Sequence, residues 1–146
     1  MVRILVTGMS GAGKSTLLDE LARRGLRTVD TDDDGWTRPD GRWDESRMTA
    51  LLSDGRDVVV SGTVENQGRF PFDHVVLLTA PLDVLLTRVA QRDNPYGRTE
   101  ADRDEIRTYV ETIEPLLRAA ATIELDGRRA VGELADEVER LARRGA

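Results

Sequence analysis

The run Gly8-Met9-Ser10-Gly11-Ala12-Gly13-Lys14-Ser15, with Thr16 behind it, narrows the possible folds more than any other part of the chain. It fits the pattern G-x-x-x-x-G-K-S/T at every fixed position. The apolar run Val2-Arg3-Ile4-Leu5-Val6 precedes it and reads as a short buried strand. Ser15 to Arg24 follows, with Leu17, Leu18, Leu21 and Ala22 on one helical face. Strand, glycine loop and helix in this order suit phosphate binding. The glycines let successive backbone N–H groups turn inward around phosphate oxygens, and the helix N-terminus adds positive dipole. Gly8, Ser10, Gly11, Ala12, Gly13, Lys14, Ser15 and Thr16 are therefore candidate nucleotide-binding residues. In such a loop Lys14 reaches the β- and γ-phosphates, and the Ser15 hydroxyl serves Mg²⁺. Lys14 is the only lysine in the chain.

The remaining apolar runs alternate between strand and helix character. Strands are expected near Leu26–Val29, Asp57–Ser61, His74–Leu78 and Thr122–Leu125. Helices are expected from Lys14 to Arg24, at Glu45–Ser53, from Pro81, through Ile106 to Leu117, and in the last segment with Val131, Leu134, Val138 and Leu141. Pro81 suits a first helical turn, and Pro115 should kink or split the long helix. Its register places Ile106, Tyr109, Val110, Ile113, Leu116 and Leu117 on one stripe. Alternation of this kind implies an α/β fold with a parallel sheet covered on both faces. Ligands then bind at the carboxyl ends of the strands, which selects the loops after Thr7, Val29, Val60 and Leu78.

With 146 residues, 33% charged and 39% hydrophobic, the chain reads as a single soluble domain over 1–146. No stretch approaches the ~18 apolar residues of a membrane span, and with a strand expected from Val2 no signal peptide is expected. The absence of cysteine excludes disulfides, thiolate catalysis and Cys-ligated zinc, and a cytoplasmic location is expected. A net charge of −6 argues against a nucleic-acid partner.

Four constellations fall on the expected active face. Asp30 and Asp32 lie one residue apart at a strand end; one can hold Mg²⁺, with Asp32 the candidate beside Ser15, and Asp30 or Asp32 can orient or deprotonate an acceptor hydroxyl. Gly62, Thr63, Asn66, Gln67 and Arg69 follow the third strand and form a candidate acceptor loop, Arg69 as a clamp for an anionic group. Arg88 and Arg92, with Arg98 beyond the Asn94-Pro95-Tyr96-Gly97 break, are candidates for a short cationic lid around 92–103. Asp126 to Arg129 follow the last strand, and Arg128 is a candidate nucleotide contact. Trp36 and Trp43 either line an acceptor pocket or pack a small side core. His74 reads as structural.

These residues resemble the small P-loop kinases: shikimate kinase, gluconate kinase and the nucleoside monophosphate kinases. The resemblance spans nearly the whole chain in its order of elements. It is specific at Gly8–Thr16, at Asp30-Thr31-Asp32, and from Arg88 to Arg98. It implies a three-layer α/β/α fold with a five-stranded parallel sheet in the order 2-3-1-4-5, and phosphoryl transfer from ATP to a small-molecule acceptor. It also implies adenine held near Arg88 and Asp126–Arg129. The third strand ends in Ser61-Gly62-Thr63, which matches neither the Asp-Gly-x-Pro-Arg of adenylate kinases nor the triple glycine of shikimate kinases. The leading expectation is an ATP- and Mg²⁺-dependent kinase of a hydroxylated metabolite, with Lys14, Asp30, Asp32, Arg88, Arg92 and Arg98 as its machinery. Alternatives are a nucleoside or nucleoside monophosphate kinase with a base pocket at Asn66, Gln67 and Trp36, and an ATP-operated switch acting through a protein partner.

Overall fold

The computed structural model describes residues 1–33, 35–91 and 98–144. The strands are β1 (Arg3–Gly8), β2 (Thr28–Asp30), β3 (Val58–Ser61), β4 (His74–Thr79) and β5 (Ile123–Asp126). All pair in parallel, in the order β2-β3-β1-β4-β5. The helices are α1 (Lys14–Arg23), α2 (Glu45–Leu52), α3 (Leu82–Ala90), α4 (Glu100–Thr112), α5 (Glu114–Ala120) and α6 (Val131–Arg144). The three-layer α/β/α architecture and the strand order are those expected.

Side-chain alternation along β1 assigns the two faces of the sheet. Ile4 and Val6 join a core with Leu17 and Leu21 of α1 and Leu134 and Val138 of α6. Leu5 points the other way and joins Trp43, the α2 residues Met48 and Leu52, and Val58 and Val60 of β3. Trp43 is fully buried, with its ring centroid 5.6 Å from Phe70 and 6.1 Å from Phe72. Of the two readings of this tryptophan, the structure selects side-core packing. Trp36 is half-buried, with the Arg47 guanidinium 4.2 Å from its ring centroid.

Several boundaries differ from expectation for local reasons. After α1, Gly25 N–H donates to the Ala22 carbonyl and Leu26 N–H to the Leu21 carbonyl, the two bonds of a Schellman motif. Leu26 thus closes the helix, and β2 starts two residues later. Pro81 occupies the N-cap of α3 rather than its first turn. The long helix splits: α4 ends at Thr112 and α5 begins at Glu114, with Pro115 in its first turn, where a missing N–H costs little. The expected stripe is not uniformly buried. Ile106 and Leu117 are buried, whereas Tyr109 is 44% and Leu116 65% exposed. The Asn94–Gly97 break lies outside the described residues.

Candidate active site

β1 delivers the chain into the glycine loop, and α1 carries it away. At Gly11 φ is +89°, a conformation that favours glycine, and a Cβ there would lie 2.8 Å from the Leu85 carbonyl oxygen. The loop is thus pressed against α3. No side chain caps α1 at its N-terminus, and its first turn holds no acidic residue, so the positive end of the helix faces the loop. Lys14 Nζ donates to the carbonyls of Gly8 at 2.6 Å and Met9 at 3.2 Å, which folds the ammonium back over the loop. The resulting cavity, about 320 Å³, is lined by Ser10, Gly11, Gly13, Lys14, Ser15, Thr16 and Asp32. Of the candidate loop residues, Gly8 and Ala12 lie behind this lining.

The end of β2 supplies the acidic side. Ser15 Oγ donates to Asp30 Oδ2 at 2.8 Å, and Asp30 Oδ1 accepts from the Asp32 N–H at 3.0 Å. Asp30 is thereby fixed against the hydroxyl of the loop, and Asp32 faces the cavity. Among the described residues no group of three or more His, Cys, Asp or Glu side chains could hold a metal ion by itself. Ser15, Asp30 and Asp32 offer only hard oxygen donors.

Arg88, expected in a lid, does not line the cavity. From α3 it donates to the carbonyls of Gly11 at 3.2 Å, Ala12 at 3.4 Å and Gly127 at 2.9 Å. It fastens the glycine loop to the turn after β5. A Cβ on Gly127 would lie 2.5 Å from the Ala12 carbonyl oxygen, so the two turns meet backbone to backbone. Next in that turn, Arg128 Nη2 donates to Asp126 Oδ2 at 2.7 Å and its N–H to Oδ1 at 2.9 Å. These bonds hold the Asp126 carboxyl down at about 2. Arg98 is exposed just before α4, and Arg92 lies outside the described residues.

The loop after β3 divides into parts of different character. Thr63 Oγ1 accepts from Gly8 N–H at 3.2 Å, lies 3.0 Å from Thr7 Oγ1 and donates to the Gly8 carbonyl at 2.6 Å. Gln67 Nε2 donates to Thr7 Oγ1 at 3.2 Å, and Gln67 Oε1 accepts from Val64 N–H at 2.9 Å. Thr63 and Gln67 thus buttress the start of the glycine loop, and both line a cleft of about 440 Å³ against α4 and α5. Gly62 is buried, its N–H bonded to the Val6 carbonyl at 3.1 Å.

Two expected acceptor contacts lie elsewhere. Asn66 is 5% exposed. Its carboxamide accepts from Trp43 N–H at 3.1 Å and donates to the Trp43 carbonyl at 3.2 Å, so it pins the side core. Arg69 pairs with Glu45 at 3.3 Å on the surface, outside the cleft.

The family model of the AAA domain matches residues 4–108, from β1 into α4. The chain belongs to this AAA domain family. Its fold is that of solved small-molecule kinases. A gluconokinase from Sinorhizobium meliloti 1021 superimposes with a TM-score of 0.69 at 22% identity, over 98% of this chain and 94% of that one. A shikimate kinase from Acinetobacter baumannii, in complex with shikimate, gives 0.67 at 22% identity, over 96% and 92%. A deoxyadenosine kinase from M. mycoides with bound dATP gives 0.65 at 13% identity, over 95% and 98%. No curated protein matches the chain. In this AAA domain, sequence reasoning missed the anchoring role of Arg88 and the Thr7–Thr63–Gln67 buttress. Thr7 is fully buried, and only its place at the end of an apolar strand marked it. Among the described residues no helix is long and apolar enough to cross a membrane.

Proposed function

We propose that this AAA domain transfers the γ-phosphoryl group of ATP to the hydroxyl of a small molecule. The observation that carries the reading is the Ser15–Asp30 hydrogen bond, 2.8 Å, with Asp32 in the same phosphate-sized cavity as Lys14. A glycine loop alone supports nucleotide binding. A carboxylate pair beside its hydroxyl adds the base that transfer to an alcohol requires.

In the proposed reaction the loop N–H groups and Lys14 hold the β- and γ-phosphates. Bound Mg²⁺, held by Ser15 and an aspartate together with the phosphates, would supply charge neutralisation at their oxygens. The acceptor oxygen forms a bond to the γ-phosphorus. The bond from that phosphorus to the β–γ bridging oxygen breaks, and ADP leaves with its electron pair. Asp30 or Asp32 takes the hydroxyl proton. Arg88 keeps the glycine loop and the Gly127 turn in register, and the Asp126–Arg128 turn is the proposed neighbour of the adenine. Arg92 and Arg98 are proposed to supply further positive charge to the transferring group.

The test is a coupled ADP-release assay with ATP and Mg²⁺ against a panel of hydroxylated metabolites and nucleosides. Acceptor-dependent ADP release that disappears in Lys14→Ala is the expected result. ADP release at the same rate with and without every acceptor contradicts it.

A further inference from the structure

The cleft between the loop after β3 and the α4–α5 pair has a chemistry that the phosphate cavity lacks. Met9, Tyr109, Ile113 and Leu116 form its walls. Tyr109 and Leu116 are the large hydrophobic residues that, with Met1, stay exposed on the described surface. Both border this one cleft, from two helices that the Pro115 split sets apart. Scattered surface apolar residues need no explanation, but two around one concave site do. The volume of about 440 Å³ suits a small molecule. The cleft also abuts the phosphate cradle, because Met9 lines it and the Met9 carbonyl accepts from Lys14 Nζ at 3.2 Å.

The charge of the lining selects among acceptors. Among the described residues lining the cleft there is no arginine or lysine, and the one charged side chain is Glu65. Arg69, the cation expected to clamp an anionic group, pairs with Glu45 outside the cleft. An acceptor carboxylate or phosphate placed here would lose water, meet no cation and face Glu65. An apolar body with a hydroxyl would bury its surface against the aromatic and aliphatic walls and find a polar partner in the Gln67 carboxamide.

We propose that this cleft is the acceptor pocket and that it takes an uncharged, largely apolar hydroxyl compound, of the size of a nucleoside or an aromatic alcohol. The proposal rests on the kinase reading for the fate of that hydroxyl, which receives the γ-phosphoryl group in the transfer written above. The preference for uncharged bodies rests on the cleft itself.

The test uses the full chain, with amide NMR and calorimetry on two pairs of probes. Thymidine and benzyl alcohol are uncharged, and D-gluconate and shikimate are anionic. The expected result is that the uncharged probes shift the amides of Tyr109 and Leu116 and the anionic probes do not. Leu116→Arg, at a site exposed enough to keep the fold, weakens uncharged-probe binding at least tenfold and leaves ATP affinity within twofold. Binding of the anionic probes in the cleft, binding of no probe, or an unchanged uncharged-probe affinity in Leu116→Arg overturns the proposal. ADP-release assays separate the two layers. Cleft binding with no transfer to any hydroxyl compound sinks the kinase reading and leaves the preference standing. Transfer to an anionic compound sinks the preference and leaves the kinase reading standing.

Discussion

Ser15 Oγ, at the start of α1, donates a 2.8 Å hydrogen bond to Asp30 Oδ2 at the end of β2. The bond ties the helix that follows β1 to the end of β2, although β3 lies between β1 and β2 in the sheet. It sets a carboxylate against the hydroxyl that the loop pattern assigns to a metal ion. Asp32 follows on the same turn and faces the cavity. Binding and proton transfer can therefore be divided between two aspartates.

Asp30→Asn and Asp32→Asn separate those roles. The variant that removes the base is expected to lose about 10²–10⁴-fold in kcat at saturating ATP. The variant that removes a metal contact is expected to raise the Mg²⁺ concentration needed for half-maximal rate. Initial rates over a magnesium titration read both effects. Normal rates and an unchanged magnesium requirement in both variants would remove the carboxylate pair from the mechanism.

Arg88 is expected to matter through the backbone it holds. Arg88→Met breaks donations to the Gly11, Ala12 and Gly127 carbonyls. Bonds from a charged donor contribute about 1.5–3 kcal/mol each, and this half-buried group should cost about 2 kcal/mol overall. Denaturant melts should show that loss together with weaker ATP binding. Gly127→Ala should weaken ATP binding by another route, because its Cβ would press on the Ala12 carbonyl. An Arg88→Met protein with wild-type stability and ATP affinity contradicts this role.

Asn66 gives a contrast between structure and recognition. Asn66→Ala leaves the Trp43 N–H and carbonyl without their buried partner, at a cost of about 1–3 kcal/mol. Thermal unfolding should show that loss, with acceptor KM little changed. A large change in acceptor KM at unaltered stability would return Asn66 to the acceptor site.

Asp73 sets an acid limit on stability. It accepts from Arg3 N–H at 2.7 Å and from the Arg3 guanidinium at 3.2 Å. The Arg3 side chain, and then its N–H, hold the carboxyl below its ordinary value, against the opposing effect of burial. A lowered carboxyl pKa stabilises the fold above the ordinary carboxylate range and loses that contribution as pH falls through the depressed value. Asp73→Asn should therefore reduce stability by about 2 kcal/mol at pH 7 and flatten the acid limb of a stability–pH curve. Parallel curves for the variant and the wild type contradict the assignment.

The glycine loop and the strands were legible because each is written locally, whereas the order of the strands came from the resemblance to the small P-loop kinases. The loop needs fixed residues at fixed spacing, and strands buried on both faces read as continuous apolar runs such as Val58-Val59-Val60. Asp30 and Asp32 were legible because a strand end beside a phosphate loop restricts what a carboxylate can do. Arg88, Asn66 and Trp43 were not, because their partners are distant backbone atoms. Arg88 meets Gly127, 39 residues away, and Asn66 meets Trp43, 23 residues away. No local pattern separates an arginine that faces a ligand from one that fastens two turns. Tyr109 and Leu116 fit a helical stripe, and only the packing of α4 and α5 shows that they border a cleft instead.

The most direct measurement is a calorimetric titration of ATP with Mg²⁺ into the wild-type chain and into Lys14→Ala. Lys14 is the only lysine, so no neighbouring ammonium can replace it. Loss of one charge-assisted phosphate contact should weaken binding about tenfold to a hundredfold. Equal ATP affinity in the two proteins would contradict a phosphate cradle at Gly8–Ser15, and the kinase reading with it.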